Sequence, residues 1–210
     1  MDVQYYGANC IRLSTKKASI LVDDNLMDLG SKSVAKNGDI VLFTGPHGDS
    51  STNIEEKIVI DKPGEYEVSE VSIQGIAARG HMDEEGQNSA TIFKIIDDDI
   101  KVVVVGNVFP ELSDDQLESI GMVDVLVIPV GGNGYTLDGV GALKLIRKIE
   151  PKVVIPTHFE EKGLSFAVPQ QPLSEAIKAL AMEPKETVSK YKAKPLELTD
   201  NTQLIILEKS

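Results

Sequence analysis

The chain holds only three histidines, His47, His81 and His158, and they fall at comparable places in the sequence. Each follows an apolar run that reads as a strand. Phe43 closes the run before His47, Ala77 the run before His81, and Pro156 the run before His158. Loops at the ends of buried strands are where rigid scaffolds place catalytic groups, so three such loops can converge on one rim. Asp49 stands two residues past His47, close enough for both side chains to aim at one point. Neutral imidazole with carboxylate is a ligand set for zinc, manganese or iron. A lone histidine is more often a satisfied polar residue, and only the three together with Asp49 argue for a site. Asp83, Glu84 and Glu85 beside His81 could add a ligand, but a solvated acidic loop is the simpler reading.

Other motifs carry less. Gly131-Gly132-Asn133-Gly134 lacks both the spacing and the lysine of a phosphate loop, so it reads as an ordinary loop. Cys10 sits inside an apolar stretch with no histidine near it and reads as a small buried residue. Asp23-Asp24 ends a strand, with surface charge the default expectation. No Gly-x-Ser-x-Gly elbow is present.

The elements that must position these groups follow from periodicity. The first 43 residues read as short strands at 2–6, 10–14, 19–22 and 40–43, with a short helix expected over 26–36 and stopped by Asn37-Gly38. Strands are expected again at 58–61, 65–68, 71–77, 90–96 and 100–105, with Asp97-Asp98-Asp99 as a hairpin tip. After Gly106-Asn107 the pattern alternates. Ser113 with Gln116 has capping-box spacing and should start a helix to about Ile120. Strands at 123–130 and 152–156 flank a helix at 137–149, whose apolar residues Val140, Leu143, Ile146 and Ile149 recur at helical intervals. A last helix at 173–182 and strands at 195–198 and 203–207 close the chain. This is an α/β protein, read as a single domain over residues 1–210, with two sheets and helices outside.

Composition bounds the function. The 210 residues carry 33 acidic and 21 basic side chains, a formal charge of -12, and no tryptophan. An acidic surface without a Lys/Arg stripe repels a phosphate backbone, which disfavours nucleic-acid binding. No apolar run approaches the ~20 residues that span a bilayer, and the N-terminus has no basic-then-apolar leader, so a cytoplasmic protein is expected. One cysteine excludes an internal disulfide framework. A small-molecule substrate is the expected partner; homo-oligomerisation is left open.

Several segments in order resemble the metallo-β-lactamase-fold hydrolases, in the branch of short proteins similar to ascorbate-6-phosphate lactonase. They are Tyr6-Gly7-Ala8-Asn9-Cys10, Asp39-Ile40-Val41-Leu42, Asp61-Lys62-Pro63-Gly64-Glu65-Tyr66, the stretch from Val123 to Gly132, and Glu150 to Phe159. The resemblance implies an αββα sandwich with a metal site at one edge of two sheets. That family's loop His-x-His-x-Asp-His aligns with Gly45-Pro46-His47-Gly48-Asp49-Ser50, so two of its histidines are replaced. Its third-loop histidine falls on His81, its bridging aspartate on Asn107 and its last histidine on His158. Asp61 is expected to brace the metal loop.

Two dications ~3.5 Å apart repel by roughly 19 kcal/mol at an effective dielectric of 20, and Asn107 brings no charge to offset it. The resemblance therefore implies at most one ion, held by His47, Asp49, His81 and His158 with an open position for water. Asp49 would be a ligand or the base, and Asn107 or Ser50 would hydrogen-bond the water or the oxyanion. The expected function is a metal-dependent hydrolase of an ester, lactone, amide or phosphodiester. The rival is a non-catalytic binding or scaffold module that keeps the pocket and has lost the chemistry.

Overall fold

A computed structural model describes residues 1–48 and 55–210. The first sheet is built from β1 (Asp2–Gly7), β2 (Cys10–Ser14), β3 (Ser19–Val22), β4 (Ile40–Leu42) and β5 (Ile58–Ile60). The second takes β6 (Gly64–Val68), β7 (Val71–Ala78), β8 (Ala90–Asp97) and β9 (Ile100–Val104). After α1 (Asp114–Ile120) it adds β10 (Val125–Pro129), and after α2 (Gly139–Ile149) it adds β11 (Val153–Thr157). Following α3 (Leu173–Leu180), β12 (Pro184–Val188) joins one edge of the second sheet. β13 (Tyr191–Lys192) returns to the first sheet and β14 (Gln203–Leu207) to the second. The strand orders are β13-β1-β2-β3-β4-β5 and β12-β14-β11-β10-β9-β8-β7-β6.

Both sheets are mixed. Antiparallel hairpins fill β1–β3 and β6–β9, whereas β3–β4–β5 and β9–β10–β11–β14 run parallel. Parallel strands are buried on both faces and read as continuous apolar runs. Val125–Pro129 and Val153–Thr157 are buried at every residue. One apolar cluster joins inward residues of the two sheets, among them Ile11, Leu13 and Val22 from the first and Ile73, Phe93 and Val102 from the second. Such side-by-side layers are the α/β sandwich expected from the sequence.

The three helices all follow β9. The capping box at Ser113 is present, with Gln116 N–H donating to its hydroxyl and Gln116 Oε1 accepting from the Ser113 N–H. The helix expected over 26–36 reduces to one 3-10 turn, Leu26–Leu29, closed by Gly30 at φ 80°. Its continuation is taken by carboxylates. Asp24 Oδ2 accepts from the Val34 and Ala35 amides and the Ser33 hydroxyl, and Asp39 Oδ2 accepts from the Lys36 amide. Amides held this way cannot make i→i−4 bonds. This turn and the 33–35 segment cover the outer face of the first sheet at Cys10 and Leu21. The expected strand at 195–198 is instead a 3-10 turn, Pro195–Glu197, because proline offers no amide to a ladder.

Candidate functional site

The carboxyl ends of the parallel strands gather at one edge of the two sheets. Asp23 follows β3, the Thr44–Gly48 segment follows β4, Asn107 follows β9, Tyr135 and Thr136 follow β10, and His158 follows β11. Open parallel sheets bind ligands outside such ends, where strand order reverses. Asn9 joins them from the turn between β1 and β2, and His81 from the loop after β7.

Two adjoining cavities occupy this edge. The larger, about 450 Å³, is lined by His47 and His158, and the smaller, about 290 Å³, by His81. Asn9, Asp23, Asn25, Pro46, Asn107 and Tyr135 line both and form the shared wall. Asp49 and Ser50 lie outside the described residues.

The wall is a chain of uncharged hydrogen bonds. Thr157 Oγ1 donates to Asn9 Oδ1 at 3.0 Å, Asn9 Nδ2 donates to Asn107 Oδ1 at 2.8 Å, and Thr136 Oγ1 donates to the same oxygen at 2.8 Å. Asn9 lies in a turn of the first sheet, Thr157 at the end of a strand of the second, and Asn107 and Thr136 on loops that leave the second sheet, so the bonds tie the sheets together across the site. Asn107 Oδ1 accepts twice, which leaves its Nδ2 without an acceptor among the described residues.

All three histidines carry a proton on Nδ1. Val168 O can only accept, so it fixes the Gln170 Nε2 that donates to it at 2.6 Å. Gln170 Oε1 is thereby turned toward His158 Nδ1, 3.1 Å away, and that nitrogen carries the proton. His81 Nδ1 donates to Val108 O at 3.2 Å and His47 Nδ1 to Gly48 O at 3.0 Å. In the His158 ring the lone pair is therefore on Nε2. Burial lowers the pKa of His158, with the Gln170 bond opposing, so the ring is neutral at pH 7. Its backbone is held at φ 53° by the bond from His158 N to Ala8 O, 2.7 Å. A side chain at Gly131 would put its Cβ 2.0 Å from His158 O, so only glycine fits beneath it.

Asp23 is buried, not a surface charge. Its carboxylate accepts from Thr44 N at 2.7 Å and Thr44 Oγ1 at 2.6 Å. Burial pushes its pKa up to about 6, against the lowering effect of the Thr44 bonds and His47. Asp24 is likewise buried and organises the 33–35 segment. Asp61 does brace the loop: its Oδ2 is 3.5 Å from His47 Nε2, while the His47 ring stacks on Phe43 with centroids 3.8 Å apart. Asp83 accepts from the Gly80 and Ser89 amides and the Ser89 hydroxyl, which makes it the organiser of its own loop. Glu84 and Glu85 stay at the surface, and Cys10 is fully buried and free.

Among the described residues no three His, Cys, Asp or Glu side chains come together closely enough to hold a metal ion. His47, His81 and His158 alone therefore do not assemble the expected single-ion site. Their rings line two cavities with carboxamides between, and the uncharged Asn107 is committed to Asn9 and Thr136. The described donors do not fit a metal cage.

Sequence reasoning missed Asn9, Thr44, Thr136, Thr157 and Gln170. Uncharged polar residues at strand ends carry no periodic signal. The one cue was position: Asn9, Thr44 and Thr157 each stand next to a glycine, a histidine or a strand terminus already singled out.

Two mixed sheets with a polar site at the carboxyl edge of their parallel strands define the metallo-β-lactamase type of α/β sandwich. The model of the family described as the Beta-lactamase superfamily domain matches residues 2–158, and the chain belongs to that family. A protein of Carboxydothermus hydrogenoformans named UPF0173 metal-dependent hydrolase is 44% identical over 43 residues, which is 20% of this chain and 19% of that relative. The chain thus matches about a fifth of that relative's length. Over nearly whole chains, the fold is shared with a Thermotoga maritima protein described as a Zn-dependent hydrolase of the metallo-beta-lactamase superfamily. The TM-score is 0.75, identity 24%, and coverage 98% of this chain and 97% of that one. A Parabacteroides distasonis protein described as a metal-dependent hydrolase follows, with TM-score 0.66, identity 16% and coverage 98% and 93%.

Proposed function

We propose that the chain is a hydrolase of a small ester, lactone or amide in which His158 and Asn107 act on a water and a carbonyl in the larger cavity. The observation that carries this reading is the pinned tautomer of His158. A buried neutral imidazole presents the Nε2 lone pair in a cavity, with its other nitrogen anchored through Gln170 to a backbone carbonyl. Such an anchored ring is the arrangement of a general base. Nε2 would take a proton from water, the hydroxide would add to the carbonyl carbon, and Nε2 would return the proton to the leaving oxygen or nitrogen. Asn107 Nδ2 would donate to the developing oxyanion, a contact whose removal typically costs about 10²–10³-fold in rate. Family membership, with a relative named as a hydrolase, supports the reaction class.

A second reading keeps one zinc, manganese or iron ion on His47, Asp49, His81 and His158, as the resemblance implies. It is favoured by the Nδ1 contacts of the three rings to carbonyl oxygens, since ligating imidazoles donate their second N–H to such an acceptor. The ion would supply an activated water.

The deciding experiment assays esters, lactones, amides and phosphodiesters with wild type, His158→Ala and Asn107→Ala, after chelation and after metal loading. Chelator-resistant hydrolysis lost in His158→Ala supports the proposal. Activity that follows added metal supports the single ion. Hydrolysis of nothing, with ligand binding retained, leaves the binding module.

A further inference from the structure

We infer that the ligand of this cavity carries a positive head group, such as a substituted ammonium, and no phosphate. The inference concerns the same cavity as the proposed hydrolysis. It deepens that reading from bond type to substrate charge.

The first observation is a census of charge. Neither cavity is lined by a lysine or an arginine. The six residues outside the described set, 49–54, are Asp, Ser, Ser, Thr, Asn and Ile, so they cannot supply one either. The nearby cations are engaged elsewhere. Arg79 lies over the Phe109 ring at 3.9 Å and donates to Asp83 O, and Lys62 reaches Asp61 at 3.6 Å and lines only an adjoining hollow that shares Pro46 and His47 with the larger cavity. Phosphate recognition without a guanidinium, an ammonium or a metal lacks its usual partner. The loops after β9 and β10 run into α1 and α2, but neither helix N-terminus lines a cavity, and each is capped by its own side chain, Ser113 on Gln116 N and Asp138 on Gly141 N.

The second observation is what the cavity does offer. Asp28 is an exposed carboxylate on its wall, with its oxygens 3.7 and 3.9 Å from where a side chain at Gly48 would begin. Asp23 adds a buried carboxylate, and the chain as a whole carries -12. His158 stands between Tyr135 and Phe166, with ring centroids 5.7 and 5.2 Å away. Carboxylate plus aromatic faces is the chemistry that holds organic ammonium groups.

The third observation is independent of charge. His158 is 5% exposed, and its Nε2 has no hydrogen-bond partner among the described residues. An unpartnered ring nitrogen on a buried residue that lines a cavity of this size is a place for a ligand atom.

The test uses three probes with one aromatic body and different heads: benzyltrimethylammonium, benzyl alcohol and benzyl phosphate. Each is titrated calorimetrically into the full chain at low and high salt. The expected order is ammonium, then alcohol, then phosphate. Ammonium should bind at least tenfold tighter than phosphate, a lead that shrinks at high salt. Asp28→Asn should weaken the ammonium probe more than the alcohol, and Asp28→Lys should bring the phosphate probe up to or past it. Phosphate binding as tightly as ammonium in wild type, or no probe binding at millimolar concentration, overturns the inference. Selective ammonium binding with no turnover of any ester supports this inference and removes the hydrolase reading. Preferred turnover of phosphorylated substrates does the reverse.

Discussion

The outer face of the first sheet and the cavity edge both bury polar groups, yet they differ in what those groups have left to give. On the outer face, Arg12 and Asp39 pair at 2.6 Å with their side chains 4% and 2% exposed. Arg12 also donates to Ser19 Oγ and Val34 O, and Asp39 accepts from Lys36 N. Nearly all bonding capacity there is consumed, and among the described residues only Arg12 Nε and Asp24 Oδ1 of this group lack a partner. At the cavity edge, the hydrogen-bond chain from Thr157 to Thr136 stops at Asn107 Oδ1, and Asn107 Nδ2 and His158 Nε2 have no partner among the described residues. Burial of polar groups is thus common to structure and site. Unused donors and acceptors facing a cavity belong to the site alone.

Breaking the consumed set should cost the most. Arg12→Ala leaves Asp39 buried without its cation, and removing one partner of such a pair typically destabilises by about 3–5 kcal/mol. Urea unfolding should show this loss, while turnover per folded molecule stays at the wild-type value. A drop in turnover with stability intact would erase the distinction between the two regions.

Breaking the uncommitted set should do the opposite. His158→Ala should lower hydrolysis by about 10²-fold or more and shift the unfolding midpoint far less than Arg12→Ala does. Because burial holds the His158 pKa below its ordinary value, wild-type rate should fall with acid at a midpoint below the ordinary histidine range and level off at alkaline pH. A profile that rises steadily from pH 7 to 9 would point to a different base.

Asp23 sits on the border between the regions and sharpens the comparison. Its folded pKa of about 6 lies above the unfolded value of 3.8, so the native state holds the extra proton. Its contribution is most favourable below pH 3.8, is lost as pH rises through about 6, and stays lost above. Asp23→Asn keeps an acceptor for Thr44 N and a donor for Thr44 Oγ1 without the buried charge. The variant should gain up to about 3 kcal/mol over wild type at pH 8, and the gain should disappear near pH 4. Equal stability at both pH values would mean that the carboxylate is not desolvated as described.

The sequence made some of this legible. The apolar run at 123–130 read as a buried strand and 152–156 as a strand, and the structure has strands there, Val125–Pro129 and Val153–Thr157, buried at every residue; Ser113 with Gln116 identified the start of a helix. His47 and His158 were marked by their positions after strands, and they do line one cavity. The short helix at 26–36 failed because its amides are held by Asp24 and Asp39, the carboxylates at the two ends of the same β3–β4 connection, which helix propensity does not register. The Asn9–Asn107 wall was hidden for a different reason. Residues 98 apart meet only after the two sheets pack. Asn107 was noticed, but as a missing carboxylate, and its role as the junction of two hydrogen bonds needed the fold.

Nitrogen-15 NMR of the His158 ring, in two-bond correlation spectra of the full chain across pH 5–8, addresses the site most directly. The expected result is a neutral ring protonated on Nδ1 at pH 7, titrating below 6.5 and losing its Nδ1–H preference in Gln170→Ala. A ring protonated on Nε2, or one that titrates above 7, would leave no lone pair facing the cavity and would contradict the proposed chemistry.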